Sequence, residues 1–210
     1  MWTDETKIET GERPGRKQVT RNPGEEFLPE NIVPTFKSGR QGIMVWACVG
    51  QGFKGPIVKV DLVPETTTKT GRKRGGGLDT KTYINQVMKG PLKEALDSFK
   101  VLRGSGTLVV EDGAPCHTSK AAKATRSELG ITPLTHPPSS PDLNPIEPIW
   151  LVLKNRVADI PGSSNSLTAL WNAIQKAWDE ITLEEIDKYT CNMEERVQAV
   201  KAAKGGHTRF

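Results

Sequence analysis

Residues 108–156 read LVVEDGAPCHTSKAAKATRSELGITPLTHPPSSPDLNPIEPIWLVLKNR, and the fold is decided here. Leu108, Val109 and Val110 form a short apolar run that stops at Glu111 and Asp112, the pattern of a buried strand ending in exposed carboxylates. A helix, a short returning strand, a proline-rich loop and a capped helix follow in turn. The last helix opens on Asn144, Pro145 and Glu147, which resemble an N-cap, a first-position proline and a capping-box acid. The 34 residues 113–146 separate Asp112 from Glu147, enough for a helix and a strand to return the chain and bring the two side chains together. Paired carboxylates point to metal chemistry.

Outward from this stretch the chain supplies strands on one side and helices on the other. The opening MWTDETKIETG reads as a strand that begins abruptly, with three residues ahead of Asp4. Residues 11–40, rich in Gly, Pro, Arg and Glu, have no sustained period and predict an extended arm. The apolar run 43–49 (IMVWACV) and the run 56–63 (PIVKVDLV), with glycines between them, predict two strands joined by a turn. Residues 64–78 form a polar, flexible loop in which Lys69, Arg72, Lys73 and Arg74 precede three glycines. Such a run is a solvated surface loop, a phosphate-contacting loop or a nuclear-import signal.

Residues 80–100 show helical spacing of Tyr83, Ile84, Val87, Met88, Leu92, Leu96 and Phe99, with a kink or break expected at Gly90-Pro91. Beyond the serine-rich linker that ends at Ser166, one helical face runs from Leu167 to Ile181 with Trp171 and Trp178 in the core. A second helix starts at Thr182, where Thr182 and Glu185 match a capping box, and buries Ile186, Met193, Val197 and Val200. The expected architecture is α/β, a mixed central sheet flanked by helices, with a core over 1–160 and C-terminal helices 161–210 packed on the same domain.

Composition narrows the class. The 210 residues carry a net charge of +4 and 35% hydrophobic residues, which suits one substantial core with some bias toward anionic partners. No apolar run approaches the roughly 18 residues of a membrane span, and no membrane partner is expected. Three widely spaced cysteines, Cys48, Cys116 and Cys191, indicate neither a disulfide framework nor a zinc site.

Together WTDET at the start, IMVWACV, VVEDGAPCH around Asp112, PPSSPDLNPIEPIWLVLKNR around Glu147 and RVQAVKAAKGGHTRF at the end resemble the catalytic domain of a mariner-superfamily DDE transposase. The resemblance spans nearly the whole chain, and SPDLNPIE placed after DGAPCH is its most specific part. It implies a ribonuclease H-like fold and a triad of Asp4, Asp112 and Glu147 acting as catalytic residues and metal ligands. It implies two magnesium or manganese ions, hydrolysis and strand transfer on DNA, transposon ends and target DNA as partners, a possible homodimer, and nuclear localisation. The family's helix-turn-helix domains, which recognise the element's ends, are not expected within this chain. The alternative is a truncated or domesticated transposase fragment that binds DNA or a partner without cutting. Gly113 stands where many relatives have Asn, and Pro148 follows Glu147 directly.

The chemistry explains the residue types. Magnesium and manganese prefer carboxylate oxygens and keep several waters, which leaves positions for phosphate oxygens. Two ions about 3.5 to 4 Å apart activate a water or 3′-hydroxyl and stabilise the leaving oxygen, so no covalent nucleophile is needed. Each ligand has a plainer reading: Asp4 a strand-end aspartate, Asp112 turn chemistry, Glu147 a cap. Asp142 is the competing third carboxylate and is expected to fix its loop instead. Lys154 lies two helical turns beyond Glu147 on the same stripe, placed either to hold a DNA phosphate or simply to meet solvent. His117 is a candidate nucleic-acid contact, a support for Asp112, or an ordinary hydrogen-bonded histidine; His136 is assigned to the loop.

Overall fold

A computed structural model describes residues 1–10, 41–67, 70–71, 73–137, 140–206 and 208–210. The expected arm at 11–40 lies outside the described residues, as do Lys69 and Arg72. Three antiparallel strands form the sheet in the order β1 (Trp2–Glu9), β2 (Gly42–Gly50), β3 (Phe53–Val60).

The unbroken apolar run of β2 follows from burial on both of its faces. Ile43, Val45, Ala47 and Val49 pack with one set of helices, while Trp46 and Cys48 pack with another. The β1–β2 register pairs Asp4 with Ala47 and Glu5 with Trp46, so consecutive carboxylates on β1 point to opposite faces of the sheet. Between β2 and β3 the register slips between Ala47 and Val49, and a Cβ on Gly55 would stand 2.2 Å from the Cys48 sulfur. Only glycine fits there. β3 starts and stops three residues earlier than its apolar run suggests, and Pro56 is tolerated because the strand lies at the sheet edge.

Beyond β1 the sheet continues through 108–110, but as single bridges rather than a regular strand. Trp2 pairs with Val110 and Val109 with Pro133, both in parallel. The Thr3 amide donates to the Val110 carbonyl at 3.1 Å, and the Leu134 amide to the Val109 carbonyl at 2.8 Å. Three antiparallel strands thus meet two short parallel segments, the mixed arrangement expected. The basic loop holds a two-residue hairpin, β4 (Thr66–Thr67) with β5 (Lys73–Arg74).

One face of the sheet is covered by α1 (Thr80–Tyr83), a wide-turn helical segment Ile84–Leu92, and α2 (Lys93–Arg103). The expected break at Gly90-Pro91 is instead absorbed as a continuous π-helical stretch. A widened turn accommodates the proline, which has no amide to donate and whose ring crowds the carbonyl four residues back. The short α3 (Pro115–Thr118) and α4 (Lys120–Leu129) follow Asp112. The opposite face is covered by α5 (Ile146–Asp159), α6 (Leu167–Asp179) and α7 (Leu183–Thr190), which share one apolar cluster with β1 and β2. Helices α6 and α7 therefore pack into the core of the sheet.

Ser166 caps α6 and Thr182 forms the expected capping box with Glu185. The last helix departs from expectation: it splits at Cys191–Asn192, and α8 (Met193–Ala202) buries Arg196 where Met193, Val197 and Val200 were expected. An Arg196 guanidinium nitrogen donates to the Asp142 carbonyl at 2.7 Å, so a polar contact takes the place of an apolar seam. All three cysteines are free.

Leu153 of α5 is fully buried against the sheet. Replacing it with Ala should cost about 2 to 5 kcal/mol. Urea unfolding should show a lower midpoint at unchanged slope; a loss under about 1 kcal/mol would mean α5 is not anchored through this residue.

Candidate active site

Three separate elements deliver the three carboxylates. Asp4 stands within β1, Asp112 follows the bridge at 109–110, and Glu147 occupies the first turn of α5. All three line one cavity of about 380 Å³, together with Gly113, His136 and Asn144. Asp142 lies outside it; its carboxylate accepts from the Thr208 hydroxyl at 3.0 Å, and it tethers its loop to the C-terminal segment.

Local chemistry sets each side chain. On the α5 face of the sheet, the Trp150 indole donates to Asp4 Oδ2 at 2.8 Å. Trp150 follows Glu147 by three positions, so one helical stripe presents both the acid and the donor that holds Asp4. Glu147 itself takes no part in a capping box, contrary to its resemblance to one. The start of α5 has no side-chain cap, and Asn144 Oδ1 accepts only a long 3.4 Å bond from the Ile146 amide. Pro148 costs nothing here, because amides in a first helical turn lack intrahelical partners.

Asp112 Oδ1 accepts from the Ala114 amide at 2.9 Å and from His117 Nδ1 at 2.5 Å. His117 does not reach the surface: it is 3% exposed, so the expected nucleic-acid contact is corrected to a buried partner of Asp112. Its short helix α3 turns inward immediately after Asp112, which explains the burial. Beneath it, the buried Glu111 accepts from Arg126 Nε at 2.6 Å and from the Tyr83 hydroxyl.

The electrostatics separate the three acids. Burial, then the charges of Glu147 and Glu5, push Asp4 up to about 7, with the Trp150 bond pulling the other way. Glu147 is raised by burial, opposed by the nearby Lys154 and reinforced by Asp112. The hydrogen bond from His117 holds Asp112 below the usual carboxylate range, against a burial effect of opposite sign. Lys154 is half-buried on the Glu147 stripe, as its spacing implies. Lys73 and Arg74 lie on β5, while their side chains, with Lys69 and Arg72, fall outside the described residues. His136, assigned to the loop from sequence, lines the cavity with its Nε2 buried and without a hydrogen bond among the described residues.

The donor set is of the kind a hard divalent cation takes: carboxylate oxygens from three elements open on one cavity, where the charge of Glu147 raises Asp4 and that of Asp112 raises Glu147. Among the described residues, no three His, Cys, Asp or Glu side chains stand in metal-holding geometry.

Residues 69–183 match the model of the DDE superfamily endonuclease family. The chain belongs to this family. It is 29% identical to the Tc1 transposase of Caenorhabditis elegans and 25% to the Tcb1 transposase of Caenorhabditis briggsae, covering 100% of this chain and 70% of each relative. Among solved structures, the pre-cleavage Mos1 transpososome superposes with TM-score 0.69 at 19% identity, covering 99% of this chain and 56% of that one. The catalytic domain of Mos1 mariner transposase gives 0.65 at 17% identity, over 99% of this chain and 83% of that one. The chain thus spans little more than half of the transpososome subunit, and the likeness establishes the ribonuclease H-like fold.

In chelator, the DDE domain should lose stability as pH rises. Asp4 has a folded-state pKa of about 7 against an ordinary 3.8, so the folded chain retains a proton that the unfolded chain releases. That stabilisation is complete below pH 3.8 and is lost as pH climbs through 7. Denaturation midpoints measured across this window should fall for the native chain and fall less for Asp4→Asn; equal slopes would remove Asp4 as a cause.

Proposed function

We propose that the chain acts as a DDE transposase catalytic domain, carrying out metal-dependent phosphodiester hydrolysis and strand transfer on DNA with Asp4, Asp112 and Glu147 as the metal-binding residues. The observation that carries this reading is the convergence of carboxylates from β1, from the end of the 108–110 segment and from α5 on one cavity. Two magnesium or manganese ions, when bound, would activate a water or 3′-hydroxyl and stabilise the leaving oxygen. Solved Mos1 structures described with Mn and with Mg support the choice of ion.

The chain's own residues divide the work. Asp112 is kept anionic by His117 and by the Ala114 amide, ready as a permanent ligand. Asp4, held by Trp150 and raised by burial, would be favoured in its ionised form by positive charge in the cavity. Glu147 carries its carboxylate at the start of α5, where the positive end of the helix dipole favours the ionised form. Lys154, one stripe along, is positioned to meet a DNA phosphate beside the reacting bond, and the basic run at 69–74 would extend that contact along the strand. Transposon ends and target DNA are the proposed partners. A homodimer is proposed by analogy with the Mos1 paired-end complex, and a nuclear site of action follows from DNA as substrate.

The test uses the 210-residue chain with manganese and duplexes bearing nicks or candidate element ends. Glu147→Gln should lower cleavage by at least about 100-fold, since even losing a residue that merely supports a ligand costs 10- to 100-fold. Native protein as inactive as Glu147→Gln would sink the catalytic reading and favour a DNA-binding fragment. A magnesium-dependent rise in melting temperature, absent in Glu147→Gln, would report the same site without turnover.

A further inference from the structure

Glu5 is a carboxylate that folding alone does not explain. It sits on the sheet face opposite Asp4, paired in register with the fully buried Trp46, and its side chain is 11% exposed. An apolar residue would be the less costly occupant of such a position, because an ion there must be desolvated. Its Oε1 has no hydrogen bond among the described residues and faces His117 Nε2, likewise unbonded, at 3.4 Å. The other nitrogen of the same ring donates to Asp112 at 2.5 Å. A carboxylate can only accept, so the proton on Nδ1 faces Asp112 and the second nitrogen faces Glu5.

The ring has little freedom to turn away from this line. Tyr83 packs against it with centroids 4.4 Å apart and planes tilted by 59°. The His117 backbone carbonyl accepts from an Arg126 guanidinium nitrogen at 2.8 Å, while Arg126 Nε and the Tyr83 hydroxyl both donate to Glu111. Tyr83 and Arg126, which flank the ring, are therefore both tied to Glu111.

We infer that Glu5 and His117 form a buried positioning relay that fixes the orientation of the Asp112 carboxylate from behind. One face of β1 presents Asp4 to the cavity, and the other face, one residue later, props the histidine that aims Asp112. Neither Glu5 nor His117 lines the cavity, so both act through Asp112 and neither is a catalytic residue. The relay rests on the reading of Asp112 as a metal-binding residue, and that dependence shapes the test.

Binding of Mn²⁺ alone, followed by the loss of the free-ion electron paramagnetic resonance signal, reads the site without turnover. Melting temperatures of the same samples report folding. An asparagine at 117 places its amide nitrogen near the position of Nδ1, whereas a glutamine places it near Nε2. His117→Asn should lose no more Mn²⁺ affinity than Glu5→Gln does, since it keeps the donor to Asp112 and gives up only the Glu5 contact, whereas His117→Gln should lose about 10- to 100-fold, the usual effect of removing a group that orients a ligand. Glu5→Gln should weaken binding less, and its effect should vanish in the His117→Gln background because the two act in series.

Equal affinities for the Asn and Gln variants would overturn the relay whatever their stabilities, since a purely structural role gives no reason to prefer one amide position for metal. Asp112→Asn separates the two levels of the argument. If it weakens Mn²⁺ binding while His117→Gln does not, the relay alone is wrong. If Asp112→Asn leaves binding unchanged, the metal-site reading fails and the relay with it.

Discussion

Strand β1 brings two consecutive carboxylates into a sheet that is covered on both faces, and much of the surrounding chemistry answers that constraint. A strand alternates its side chains, so Asp4 must be served by the α5 layer and Glu5 by the layer of α1, α3 and α4. On the first side the answer is Trp150, an apolar body that completes the core while its indole N–H meets the acid. On the second side the answer is His117, with Tyr83, Arg126 and Glu111 locking it in place. Each carboxylate is thus accommodated by groups from distant parts of the chain.

The same constraint explains why the cavity carries unequal acids. Asp4 is enclosed and crowded by like charge, so it resists ionisation; Asp112 is better solvated and hydrogen-bonded in its charged form, so it ionises readily. Glu147 is raised as well, by burial and by Asp112, with Lys154 pulling the other way. A site of this kind stores unfavourable charge in its empty form. On the proposed function, cation binding would relieve it and so couple occupancy to protonation and to stability.

Backbone irregularities are placed where they protect this arrangement. The π-helical stretch at Ile84–Leu92 lets the helix pass Gly90-Pro91 unbroken, so the layer containing Tyr83 stays continuous with α2. The slip in register between β2 and β3 puts Gly55 against Cys48, where no side chain would fit. Arg196 of α8 and Thr208 both hold Asp142, which steadies the loop leading into α5 and hence the start of the helix that bears Glu147.

Local patterns in the sequence were sufficient for the elements: the two-faced apolar run of β2, the helical faces of α6 and α7, the Thr182 capping box, and Asp112 and Glu147 at the ends of a strand and a proline-rich loop. Asp4 was legible only through resemblance, since one aspartate in a short polar strand has no distinguishing local pattern. Tertiary structure alone assigned Glu5, Trp150, Tyr83 and Arg126 their partners, withdrew Glu147 from a capping role, moved His117 from the surface to the interior, and brought His136 to the cavity. The physical reason is range. Periodicity and caps are set by neighbours within a few positions, whereas Trp150 meets Asp4 across 146 residues and Tyr83 meets Glu111 across 28. Contacts of that kind exist only once both faces of the sheet have been covered.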